Sequence, residues 1–93
     1  MIITQQAAKE VKSILSKEGM DNYYFRIGIE GNAISGMSYS IEFVKTPNLK
    51  DKLLDINGLK VLINPNDEPN LSDLVVDLSQ ANEKFGLIFR GKQ

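Results

Sequence analysis

Tyr23-Tyr24-Phe25-Arg26-Ile27-Gly28-Ile29-Glu30 and Met37-Ser38-Tyr39-Ser40-Ile41-Glu42-Phe43-Val44 decide the fold. In the first run Tyr23, Phe25, Ile27 and Ile29 alternate with Tyr24, Arg26, Gly28 and Glu30. In the second, Met37, Tyr39, Ile41 and Phe43 alternate with Ser38, Ser40, Glu42 and Val44. Successive side chains on a strand point to opposite faces, so both runs read as half-buried strands over 23–30 and 37–44. Phe25, Ile27, Ile29, Tyr39, Ile41 and Phe43 are expected to share one buried face. On that reading Ile41→Ala costs about 2–5 kcal/mol. Between the runs lies Gly31-Asn32-Ala33-Ile34-Ser35-Gly36, a small-residue loop. It precedes no helical pattern and carries no lysine-serine pair, so it reads as a plain connection rather than a phosphate cradle.

Working outward toward the N-terminus, the period changes to that of a helix. Ala7, Ala8, Val11, Ile14 and Leu15 form one stripe, with Lys9, Glu10, Lys12, Ser13 and Lys17 opposite. Thr4 is placed to cap this helix and Gly19 to stop it. Ala8, Val11 and Leu15 are its expected core residues. Toward the C-terminus, Thr46-Pro47-Asn48 ends the second strand. Asn57-Gly58 then separates Lys52–Ile56 from Leu59–Ile63. Asn-Gly between apolar runs marks a type I′ hairpin, whose two central residues need φ > 0. Gly58→Val is therefore expected to destabilise clearly more than Gly91→Val in the tail. Asn64-Pro65-Asn66-Asp67-Glu68-Pro69-Asn70 is turn chemistry with one helical turn after it. Leu74–Leu78 is a short β-branched run, and Phe85, Leu87 and Phe89 alternate as a final strand. The expectation is one domain spanning 1–93, with one helix followed by about six short strands.

Composition removes most chemistry. The 93 residues hold no cysteine and no histidine. Thiolate nucleophiles, disulfides, zinc fingers and thiolate-held clusters are excluded from these residues, together with the commonest general base. A formal net charge of −1 is not the basic footprint of a nucleic-acid binder, nor that of a polybasic membrane surface. Asp67 and Glu68 are adjacent, and Asp73 and Asp77 are four apart, but neither group has calcium-loop spacing. Solvated turn charge is the simpler reading. Tyr23, Tyr24 and Tyr39 are the only phenols. On alternating strands Tyr23 and Tyr39 belong to apolar faces and read as core rather than as ligands. The sequence turns polar straight after Ile3, unlike a signal peptide, and no apolar run approaches the roughly 20 residues of a membrane helix. A soluble cytoplasmic protein is expected, with no nucleic-acid or membrane partner.

The ordered set of motifs resembles the A-type iron–sulfur carrier family (HesB, IscA and SufA-like proteins). Thr4-x-x-Ala7-Ala8-x-x-Val11-x-x-Ile14-Leu15 is similar to that family's opening helix, and Phe25–Ile29 to its Leu-Arg-Val-Gly-Val strand. Ser35-Gly36-Met37-Ser38-Tyr39 with Glu42-Phe43 resembles its Ser-Gly-Phe-Ser-Tyr…Glu-Phe segment. Asn57–Pro65 resembles Asp-Gly-Val-Lys-Val-Leu-Val-Asp-Pro, Val76-Asp77 its Ile-Asp, and Leu87–Phe89 its Phe-x-Phe. The resemblance covers nearly the whole chain. It implies a mainly β, β-rich α+β fold: a HesB-like pseudobarrel or sandwich of short mixed strands with an N-terminal helix.

The departures concern the ligands. The family places a cysteine just before that Ser-Gly, where this sequence has Ile34. Its Cys-x-Cys tail falls about ten residues past the last strand, and this sequence stops at Gln93, before that place. The resemblance thus implies the family's fold without its ligands. No catalytic, metal or cofactor-binding residue is assigned, and no cofactor is expected. The expected function is non-catalytic and regulatory, through an unidentified protein partner near iron–sulfur assembly or sulfur metabolism. Asn32, Ala33, Ile34 and Ser35 are the candidate partner-binding residues. The alternatives are an iron carrier using carboxylate and phenolate oxygen, and, least favoured, an enzyme.

Overall fold

The computed structural model describes residues 1–32, 36–79 and 86–91. Within them the chain forms β1 (Ile2–Ile3), α1 (Gln5–Lys17), β2 (Tyr24–Asn32), β3 (Gly36–Val44) and β4 (Lys52–Ile56). It continues through β5 (Leu59–Ile63), α2 (Glu68–Leu71), β6 (Val75–Leu78) and β7 (Leu87–Arg90). One sheet has the order β3-β2-β5-β4 and the other β1-β6-β7. Both are mixed: β2–β5 and β1–β6 run parallel and the remaining pairs antiparallel. The expected mainly β, mixed-strand architecture with an N-terminal helix is what the chain adopts.

Each end of α1 is closed by its own chemistry. The Thr4 hydroxyl accepts the Ala7 N–H at 3.2 Å. At the other end the Met20 N–H donates to the Leu15 carbonyl at 2.7 Å and the Gly19 N–H to the Ser16 carbonyl at 3.2 Å. That pair of bonds is a Schellman stop, with Gly19 in the left-handed region. Ala7, Ala8, Val11 and Leu15 are buried where α1 packs across β5 and β6, one strand from each sheet. Ile3, Phe25, Ile27, Leu59, Val61, Ile63, Leu71, Leu74, Val76 and Leu87 complete the core between them.

The Asn57-Gly58 turn has φ of +53° and +81°, the two positive values a type I′ hairpin demands. It is tied inward three ways. The Asn57 amide donates to the Ile3 carbonyl at 2.7 Å, Lys12 Nζ donates to the Asn57 carbonyl at 3.0 Å, and the Gly58 N–H donates to Asp55 Oδ1 at 3.1 Å. The turn thereby joins the end of β4–β5 to both β1 and α1.

Four expectations need correction. The β2–β3 ladder runs further than 23–30 and 37–44, through Gly31↔Met37 and Asn32↔Gly36, so the connection is only 33–35. Ile29, Tyr39, Ile41 and Phe43 share the face of Phe25 and Ile27 but are half-buried, because β3 is an edge strand and α1 covers β5 and β6 instead. Ile41→Ala should therefore fall below the range for a fully buried site. Gly91 is not an indifferent tail glycine: a Cβ there would lie 2.5 Å from the Tyr39 hydroxyl oxygen. The seventh strand, β1, is two residues long and carries no periodicity of its own; parallel pairing with β6 through Ile2↔Val75 and Ile3↔Val76 makes it a strand. Phe85 lies outside the described residues.

Candidate functional site

The candidate loop sits at the far end of the β2–β3 hairpin. Asn32 is the last residue of β2 and pairs with Gly36. Ala33, Ile34 and Ser35 lie outside the described residues, so what is described is the frame that carries them. That frame is nine cross-strand pairs, with an apolar face built from Phe25↔Phe43, Ile27↔Ile41 and Ile29↔Tyr39. The two phenylalanine rings meet at 5.7 Å between centroids.

Burial along this face declines from Phe25 and Ile27, fully enclosed, to Ile29 and Tyr39 nearer the loop. Tyr39 is covered partly by Phe89 of β7, its ring stacked at 6.0 Å and 21°. Gly91 follows on the Tyr39 hydroxyl. The chain leaving β7 thus runs beside the strand that leads out of the 33–35 loop.

The opposite face of the hairpin is polar. Arg26 makes a two-pronged bond to Asp51, Nε to Oδ2 and Nη2 to Oδ1, each at 3.2 Å, and a third contact from Nη1 to Glu42 at 3.3 Å. The Asp51 side chain is only 4% exposed. The Asp51 hydrogen bonds chiefly raise the Arg26 pKa above the ordinary guanidinium value. Asp77 is not free turn charge either. It accepts from the Leu78 N–H at 2.8 Å, the Thr4 hydroxyl at 3.0 Å and Arg90 Nη2 at 3.0 Å. The Leu78 amide first, then Thr4, holds its carboxyl below the usual range. Glu68 pairs with Lys52 across the sheet edge. Among the described residues no three carboxylates converge as a metal-binding group. Sequence reading missed Asp51 as a buried partner and Leu49 as a fully exposed leucine; neither has a periodic or motif signal in a polar connection.

The model of the family described as iron-sulphur cluster biosynthesis matches residues 1–93. The chain belongs to that family. A putative iron-sulfur cluster insertion protein ErpA of Bordetella petrii is 30% identical over 90 residues, spanning 97% of this chain and 74% of its relative. One from Methylobacillus flagellatus is 34% identical over 65 residues, 70% of this chain and 56% of its own length. The fold is similar to Escherichia coli SufA, with a TM-score of 0.78 at 20% identity over 97% of this chain and 83% of SufA. It is also similar to IscA solved with a [2Fe-2S] cluster, with a TM-score of 0.74 at 22% identity over 98% and 82%. The 93 residues of this chain contain neither thiol nor imidazole. A cluster held by thiolates does not fit the residues present.

Proposed function

We propose that this chain is a non-catalytic member of the iron-sulphur cluster biosynthesis family that works by binding a protein partner in the cytoplasm, near iron–sulfur assembly or sulfur metabolism. The observation that supports this is the match of the family over residues 1–93 in a sequence without cysteine. Relatives named for cluster insertion and a fold shared with SufA and IscA give the surroundings in which the partner is sought. The contact is assigned to Asn32, Ala33, Ile34 and Ser35, at the end of a hairpin whose apolar face is half covered.

The test is Ile34→Asp. Partner capture from the source cell should be lost while melting temperature barely changes, since a new carboxylate on a presented residue stays hydrated. Loss of stability together with capture would place Ile34 in the core, where an unpaired charge is costly, and would remove the loop as a contact. Iron uptake without sulfide should be absent in both forms. Stoichiometric iron retained on the parent chain would favour an oxygen-ligand carrier instead.

A further inference from the structure

The turn between β3 and β4 presents a leucine that its geometry does not need. Asn48–Asp51 is closed by the Asp51 N–H donating to the Asn48 carbonyl at 3.0 Å. The Asp51 carboxylate, locked on Arg26 of β2, also accepts the Asn48 N–H at 3.3 Å. The turn is therefore fastened to the sheet by a nearly buried acid. Its apex residue, Leu49, is 102% exposed. Position two of an ordinary β-turn accepts most residues, so a polar side chain would serve the fold as well and be better hydrated.

A second exposed leucine, Leu53, stands on the face of the sheet that carries Arg26. Glu42↔Arg26, Arg26↔Leu62 and Leu62↔Leu53 form one row across all four strands. Leu62 in that row is buried yet is not part of the central core, while Leu53 remains 55% exposed. Glu42 and Asp51 are engaged by Arg26, and Glu68 by Lys52. Lys45 and Lys50 are exposed and in no ion pair among the described residues.

The geometry points to Leu49, with Leu53, Lys45 and Lys50, as a docking surface for an acidic protein segment that carries an apolar anchor. A rigid apolar knob loses little conformational entropy on binding, and the free ammonium groups select the sign of what surrounds the anchor. This rests on the reading of the chain as a partner-binding protein, and places a contact away from residues 33–35.

A random-peptide phage library sorted on the native chain, with Leu49→Ser as counter-selection, tests it. The enriched peptides should be acidic with a central leucine, phenylalanine or similar residue. Each should bind Leu49→Ser about tenfold more weakly or worse, as for a contact near the centre of an interface. Leu49→Met should keep binding. Binding to the parent chain should weaken as salt rises, and the double change Lys45→Glu and Lys50→Glu should abolish it. Unchanged melting temperatures keep these variants comparable. No enrichment, basic or uncharged peptides, or indifference to Leu49→Ser would overturn the proposal. So would Leu49-dependent self-association in sedimentation, which would name a second copy, or Leu49-dependent pelleting with phosphatidylserine vesicles, which would name a lipid surface. If this surface fails while Ile34→Asp still abolishes capture, the partner reading survives; if the parent chain carries a cluster, that reading falls whatever the library shows.

Discussion

Strand β4 hangs between two turns that differ in what they hold. Asn57-Gly58 behind it is bound inward by three hydrogen bonds, to Ile3, Lys12 and Asp55. Asn48–Asp51 ahead of it is fastened as firmly, through Asp51 on Arg26, but lifts Leu49 into solvent. In the first turn the residue types are those the backbone demands, with positive φ at both centres. In the second, one residue type answers to nothing inside the molecule. A turn built for the fold and a turn built for a contact are separated by whether the apex residue is explained by its own geometry.

The largest effect should come from the inward turn. Gly58 has φ of +81°, and a Cβ there would lie 3.0 Å from Lys12 Nζ. Gly58→Val should cost about 2–3 kcal/mol in denaturant unfolding, the upper part of the range for a β-branched residue held at positive φ. A change below about 0.5 kcal/mol, the range of an ordinary surface substitution, would show that the turn does not fix the hairpin.

Next is the anchor of the outward turn. Asp51→Ala removes a nearly buried acceptor of Arg26 and of the Asn48 N–H and should cost about 1–2 kcal/mol, since Arg26 keeps Glu42 and partial solvent access. It should also raise amide exchange at 48–51 while leaving 57–58 protected. Equal exchange in both turns would end the distinction between them.

A smaller effect depends on pH. The Asp77 carboxyl is held below its ordinary value by the Leu78 amide and the Thr4 hydroxyl. Its contribution is present above the unfolded carboxyl pKa of about 3.9 and is lost as pH falls through the lower folded value. Melting temperature of the parent should therefore fall more steeply than that of Asp77→Asn below about pH 4. Parallel curves would show that the Asp77 contacts to Thr4 and Leu78 do not form. The smallest effect belongs to Leu49→Ser, within about 0.5 kcal/mol in either direction. A larger loss would mean that Leu49 is packed and not presented.

The same contrast explains what could be read from the sequence. Alternation over 23–30 and 37–44, the α1 stripe and Asn57-Gly58 are local signals backed by geometry each element needs, and they located the sheet and the helix. Alternation reports which face is apolar but not how far another element covers it, so the half-burial of Tyr39 and Ile41 had no signal. β1 exists through pairing with a strand more than seventy residues away. Gly91 becomes constrained only where β7 brings it onto Tyr39. At the candidate site, Asn32 reads as part of the loop and proves to end β2, and the importance of Asp51 depends on Arg26 arriving from another strand. Leu49 is one leucine in a polar connection, and only its exposure on a fixed turn singles it out.

This chain has the family's fold but no thiolate with which to hold a cluster on its own side chains. Anaerobic incubation with iron and sulfide in a thiol-free buffer, desalting, and visible absorption with iron and sulfide analysis test it most directly. The expected result is a colourless, folded protein with neither element retained. A stoichiometric cluster chromophore surviving desalting would contradict it.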